Sequence, residues 1–311
     1  MITPELGNLM GDRVEQLIQN LNKAIVGKEA AIRLVLTALF SGGHALLEDV
    51  PGVGKTLLAK SLARCIDGSF QRIQCTPDLL PSDITGTNIW NPSAGEFQFM
   101  AGPVFAHVLL ADEINRATPR TQSALLEVRE EHQVTLDGVS RPVPTPFFAI
   151  ATQNPVEYQG TFPLPEAQMD RFALSFSLGY PSQTEELQML QRLASPTRPE
   201  SLQPCITPAE VAAIQHQCSQ VRVETSVQQY ILALVRATRD HADITLGVSP
   251  RGTVALHRAV QTWALLSDRD YVLPDDVKHL APYVLTHRII VSGGQRPQDL
   301  VAQLLETTPV P

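Results

Sequence analysis

No stretch of this chain stays apolar for about eighteen residues, so no helix in it is expected to cross a membrane. Cysteine is scarce. Cys65, Cys75, Cys205 and Cys218 form no C-x-x-C pair, and a disulfide framework is not expected in a chain of this size. His216 and Cys218 follow Cys205 closely, but no fourth ligand stands out, so a metal centre there is not expected. Positive charge is in deficit, with 24 Lys and Arg against 32 Asp and Glu and a formal net charge of −8. That balance disfavours non-specific binding to nucleic acid. No basic stripe interleaved with aromatics offsets it. The opening residues, Met1 to Gly11, lack a basic-then-apolar leader, which makes the cytoplasm the expected location.

What is present begins with size. The 311 residues, 43% of them hydrophobic, are enough for a substantial core and about two domains. The most informative stretch is Glu48-Asp49-Val50-Pro51-Gly52-Val53-Gly54-Lys55-Thr56. Ala45-Leu46-Leu47 before it reads as a buried strand, and Leu57 to Arg64 after it reads as a helix. A strand, a glycine turn and a helix are the context that a phosphate-binding loop requires. Gly52 and Gly54 can take backbone angles closed to other residues and let N–H groups approach a phosphate. The helix that follows offers unpaired N–H groups to an anion. Lys55 can reach the outer phosphates, and the Thr56 hydroxyl is placed for Mg²⁺. Asp49 stands where the general pattern G-x-x-x-x-G-K-[ST] has its first glycine. Asp tolerates left-handed backbone, but a carboxylate near a triphosphate is expected to weaken binding.

The chain opens with helical spacing over residues 3–24, with Val14, Leu17, Ile18 and Leu21 on one face. Ile25 to Lys28 interrupts it, Glu29 to Phe40 resumes it, and Ser41-Gly42-Gly43 ends it. Phe70 to Cys75 reads as a second strand, and Pro77 to Gly86 as irregular. Thr87–Trp90 and Glu96–Phe99 flank a turn and read as a hairpin, with Phe97 and Phe99 on one face. His107 to Leu110 is an apolar strand running into Asp112 and Glu113. Alone, that is equally a strand whose end is acidic. Behind a phosphate loop it reads as an Asp for Mg²⁺ and a Glu that polarises water.

Ala117 to Glu131 reads as a helix with Leu125 and Leu126 facing inward. Asp137-Gly138 marks a second hairpin between Val134–Leu136 and Arg141–Val143. Phe147 to Thr152 is a buried strand ending in Gln153-Asn154-Pro155. Asn154 can hold an attacking water, or serve only as a turn residue before proline. A last strand is expected at Leu174 to Leu178. From Pro181 strands disappear and helical patterns repeat, starting with the capping box Thr207-Pro208-Ala209-Glu210. Ser249-Pro250 starts a helix with Arg251 in its first turn, where a cation opposes the helix dipole and hints at an anionic partner. The domain boundary is placed near residue 180, giving 1–180 and 181–311.

These strings together resemble the MoxR family of AAA+ ATPases. The resemblance rests on Glu48 to Gly52, Thr76-Pro77-Asp78-Leu79-Leu80-Pro81-Ser82-Asp83, Asp112-Glu113-Ile114-Asn115-Arg116-Ala117, Ala151 to Pro155, Gly160 to Phe172 and Ser249-Pro250-Arg251. It covers nearly the whole chain. It implies an α/β fold with a five-stranded parallel sheet, two hairpin inserts and an all-helical lid. It implies ATP and Mg²⁺ bound between subunits of a homo-oligomeric ring, usually a hexamer. Pro51 to Leu57 then bind the phosphates, Val26 and Gly27 pack near adenine, and Thr56 and Asp112 hold the metal. Glu113 activates water, Asn154 matches the sensor asparagine, and Arg171 matches the arginine finger. Arg251 matches the lid arginine, acting either in cis or in trans. Relatives mature or activate client enzymes, commonly with a partner carrying a von Willebrand factor A domain. A magnesium-chelatase-type motor and a nucleic-acid motor or clamp loader are the competing readings. The net acidity disfavours nucleic acid, and the presence of both Glu113 and Asn154 disfavours a scaffold without turnover.

Overall fold

The structure is a computed structural model that describes residues 4–154, 160–192 and 199–311. Pro155 and the side chain of Leu126 lie outside the described residues. The chain begins with α1 (Pro4–Ala24) and α2 (Glu29–Phe40), which bury Leu17, Ile18, Leu21 and most of α2 in one core. β1 (Ala45–Glu48) leads to α3 (Lys55–Cys65) and β2 (Phe70–Gln74). The stretch expected to be irregular contains a short helix, α4 (Pro81–Thr85). Pro81 opens it, and the Asp83 carboxylate accepts from Leu80 N at 2.9 Å, so local capping offsets the two prolines.

The first insert is the hairpin of β3 (Gly86–Asn91) and β4 (Glu96–Ala101). β5 (Val108–Asp112) follows, then a 3-10 turn at Ile114–Arg116 and α5 (Pro119–Glu131). Thr118 caps α5 through Thr121 N. β6 (Gln133–Leu136) and β7 (Val139–Pro142) form the second hairpin, with Asp137 and Gly138 both at positive φ as such a turn demands. β8 (Phe148–Gln153), α6 (Glu166–Met169) and β9 (Leu174–Phe176) complete this part.

The five strands run parallel in the order β2-β5-β8-β1-β9. β5 is buried throughout and β8 nearly so, as continuous apolar runs in the middle of a parallel sheet must be. Beyond the sheet come α7 (Gln183–Arg192), α8 (Pro208–Ser219), α9 (Thr225–Asp240), β10 (Ile244–Leu246), α10 (Pro250–Leu266), α11 (Pro274–Leu285), β11 (Ile290–Val291) and α12 (Pro297–Thr307). The Thr207 capping box is formed. This region is mostly helical, and β10 and β11 add a small antiparallel ribbon where no strands were expected. Segments of two and three residues are too short to leave a periodic signal. Among the described residues, no helix is long and apolar enough to cross a membrane.

Candidate active site

The loop between β1 and α3 carries two glycines at positive φ, Gly52 at 87° and Gly54 at 99°. A Cβ on either would meet nothing within 4 Å. Backbone conformation, not space, therefore demands glycine there. Gly54 is the N-cap of α3, so Lys55 and Thr56 sit in its first turn beside its unpaired N–H groups. Lys55 is buried, and its Nζ donates to the carbonyls of Asp49 (3.0 Å) and Val50 (3.2 Å). The ammonium thus lies inside the curve of its own loop. Val53 and Leu57 turn inward against the core, while Pro51 and Gly52 are exposed.

Asp49 departs from expectation. It does not adopt left-handed backbone, and its carboxylate is buried away from the loop's open side. It accepts from the backbone N–H of Leu178 and from Gly179 N at 3.1 Å, just past β9. A carboxylate bound by two main-chain donors stays out of a triphosphate's way and fastens the loop to the sheet. Glu48 beside it has its carboxyl pushed up by burial, with a counteracting bond from Ser175.

Asp112 ends β5 and Glu113 follows it at the carboxyl edge of the sheet, as Glu48 ends β1 with Asp49 next and Asn154 follows β8. Asp49 N donates to Gln153 O at 3.0 Å, which brings Asn154 beside the start of the glycine loop. Lys55, Thr56, Asp112, Glu113 and Asn154 therefore converge at the carboxyl ends of three adjacent strands, where open α/β sheets bind ligands. Glu113 sits at φ 56° and ψ 51°, a conformation costly for this residue type and characteristic of functional positions.

Both carboxylates are held in place. Asp112 accepts from Thr152 Oγ1 at 2.6 Å and from Arg72 Nη2 at 2.7 Å. Glu113 Oε2 accepts from Gln74 Nε2 at 2.8 Å and from Arg116 Nη1 at 3.0 Å. Sequence reasoning passed over Arg72, Gln74 and Thr152. The signal for Thr152 was a hydroxyl in an otherwise apolar strand, and for Arg72 and Gln74 the polar alternation along β2. Thr56 and Asp112 are hard oxygen donors of the kind Mg²⁺ prefers. Among the described residues no cluster of three His, Cys, Asp or Glu has metal-holding geometry, and the four cysteines are free and buried. Burial pushes the Cys75 thiol up to about 12.

Gly27 takes φ 71° and packs directly against the Glu185 side chain of α7, so the Val26-Gly27 segment abuts the first helix beyond the sheet. Lys28 Nζ donates to Tyr180 O at 2.9 Å in the same place.

The two predicted arginines lie elsewhere. Arg171 and Arg251 line one cavity of about 240 Å³, together with Ser41, Gly42, Gly43 and His44. Arg258 and Arg288 join them there, one turn-pair along α10 and just past α11. Ser41 to His44 precede β1, whereas the glycine loop follows it, so this cavity opens at the opposite end of the strand. Arg171 likewise precedes β9. The four residues of β1 alone span about 13 Å, and no residue of the glycine loop lines the cavity. Burial pushes the Arg288 guanidinium down to about 10, against the pull of Asp170.

A family profile described as "ATPase family associated with various cellular activities (AAA)" matches residues 44–174, and one described as "AAA lid domain" matches residues 236–307. The chain is 46% identical to the uncharacterised protein YeaC of Bacillus subtilis, over 99% of this chain and 96% of that protein. It is 39% identical to Chaperone MoxR1 of Mycobacterium tuberculosis, over 96% of this chain and 82% of that one. It is 31% identical to Protein MoxR of Methylorubrum extorquens, over 96% of both. A solved structure from Cytophaga hutchinsonii, provisionally described as an ATPase, superposes with a TM-score of 0.92 at 37% identity, covering 99% of this chain and 97% of that one. A phosphate-loop geometry on a five-stranded parallel sheet, joined to 31–39% identity over nearly the whole chain with proteins named MoxR, makes this chain a member of the MoxR family of AAA+ ATPases.

Proposed function

We propose that the protein hydrolyses ATP at sites completed between neighbouring copies, and uses the cycle to remodel or activate partner proteins. The observation that carries hydrolysis is the meeting of the Gly52–Thr56 loop with Asp112 and Glu113 at one edge of the sheet. In this reading Gly52 to Leu57 cradle the phosphates through main-chain N–H groups, and Lys55 offsets their outer charge. Val26 and Gly27 border the base. Thr56 and Asp112 would hold Mg²⁺, which would offset the charge of the phosphates. Glu113, fixed by Gln74 and Arg116, polarises the attacking water. Asn154 orients that water.

Arg171 and Arg251 complete the site from the next copy. Their common cavity lies beyond reach of their own glycine loop, which supports action in trans for both. We place the boundary between the nucleotide-binding unit and the lid near residue 180. The ring is proposed to be hexameric and the partner to carry a von Willebrand factor A domain, on the family pattern alone. The chaperone name of a relative supports a remodelling role.

Two variants test the reading. Lys55→Ala removes a loop cation whose Nζ donates to carbonyls of its own loop, and is expected to abolish tight ATP binding with the fold intact. Glu113→Gln is expected to bind ATP and to lose turnover by about 10²-fold or more. Unchanged ATP affinity of Lys55→Ala by calorimetry, or wild-type phosphate release by Glu113→Gln, overturns the assignment.

A further inference from the structure

One carboxylate joins the two elements that present Arg171 and Arg251. Asp170 immediately precedes Arg171. Its Oδ2 accepts from Ser249 Oγ at 2.7 Å, and its Oδ1 from Arg288 Nε at 3.0 Å. Ser249 is the N-cap of α10 and accepts from Gly252 N at 3.2 Å, so it orders the turn that holds Arg251. The Arg288 side chain is 1% exposed. It also donates to the carbonyls of Asp170 (3.2 Å), Phe172 and Ala173 (3.2 Å), and so grips the turn on both sides of Arg171. The approach is close: a Cβ at Gly252 would lie 2.9 Å from Arg288 Cδ.

Arg171 sits in a turn between the four-residue α6 and β9, and Arg251 in the first turn of α10. A buried ion pair is a poor device for stability, and fixing a unique arrangement is its better-attested use. We propose that Asp170, with Ser249 and Arg288, is a positioning group that sets Arg171 and Arg251 as one unit. Both then approach or leave the neighbouring copy's phosphates together, in coordination across the sheet–lid junction. This rests on the reading that those arginines act in trans on ATP. A misplacement of about 1 Å at such a group costs about 10²-fold in rate.

The test uses the full-length protein. Asp170→Asn keeps the shape and removes the charge facing Arg288. Ser249→Ala leaves that ion pair intact and removes the Asp170 link together with the cap on Gly252 N, so it carries the test should the first variant fail to fold. Both are expected to keep the wild-type KM for ATP and lose kcat by about 10²-fold. Ser249→Thr, which restores the hydroxyl, recovers most of it. Reassembled with Lys55→Ala subunits, which bring intact arginines, Ser249→Ala regains turnover. Wild-type kcat in Ser249→Ala, alongside an inactive Arg171→Ala, overturns the positioning role. A fully active Arg171→Ala instead removes the trans reading. Hydrogen exchange without nucleotide then still decides the coupling. Ser249→Ala is expected to speed exchange at residues 171–173 as well as 251–253, whereas loss of a cap alone leaves 171–173 unchanged and refutes the shared anchor.

Discussion

His287 shows how tightly single groups are constrained where the lid meets the sheet. Its Nε2 lies 3.1 Å from the Phe172 carbonyl and 2.9 Å from the Arg288 guanidinium, and its Nδ1 is buried with no hydrogen-bond partner among the described residues. Burial first, and Arg288 second, hold its pKa well below the ordinary histidine value. The folded state therefore refuses a proton that the unfolded chain accepts below about pH 6.5. Stability is full above that pH and falls as the pH drops through it, by up to about 1.4 kcal/mol in the first unit below. His287→Gln is expected to flatten the decline in melting temperature between pH 7 and 5.5. An unchanged slope would locate the acid sensitivity elsewhere, at His107, His257 or His279, which burial also shifts down. None of this was legible in the sequence. Phe172 lies 115 residues before His287 and 116 before Arg288, and an adjacent His-Arg pair reads as surface. Lys55 and Thr56 were legible because a phosphate loop is local: its strand, glycines and helix start follow one another directly.

The two insert hairpins illustrate the same division between elements. Alternation and turn residues placed both of them in the sequence, yet could not say what they touch. The structure ties them together: Asn88 Nδ2 donates to Asp137 Oδ2 at 2.6 Å, and the Arg141 guanidinium lies 4.1 Å from the Phe99 ring centroid. Phe99 also meets Phe105 edge-on at 5.5 Å. Phe97, on the same face but nearer the tip, is 69% exposed and meets the Trp90 ring edge-on at 5.3 Å. The two phenylalanines share a face of the strand but not an environment. Phe99→Ser is expected to destabilise by about 1–2 kcal/mol, the sum of an aromatic pair and a cation–π contact. Phe97→Ser is expected to stay within about 0.5 kcal/mol of wild type. Urea unfolding of the two variants checks this, and equal losses would mean that the tip packs as well.

For the whole molecule, the separation of the glycine loop from the arginine cavity predicts complementation. Arg171→Ala is expected to bind ATP nearly as wild type and hydrolyse it about 10³-fold or more slowly. Lys55→Ala fails for the other reason, since its arginine is intact. Subunits of the two variants, dissociated and reassembled together, are expected to recover activity, because one supplies the working loop and the other the arginine. No recovery at any mixing ratio, with exchange verified, would place Arg171 outside the neighbour's site. The opposed ends of β1 carry a further consequence for symmetry. In a two-fold dimer each contact is returned in kind, so a loop and a cavity would have to lie within one patch for it to complete a site. Set at opposite ends of β1, loop and cavity suit a head-to-tail contact instead, and such a contact has a direction. An open row of copies ends with one loop that lacks arginines and one cavity that lacks a nucleotide. Closure of the row is what leaves no subunit idle, so activity per subunit should rise with concentration until the circle completes.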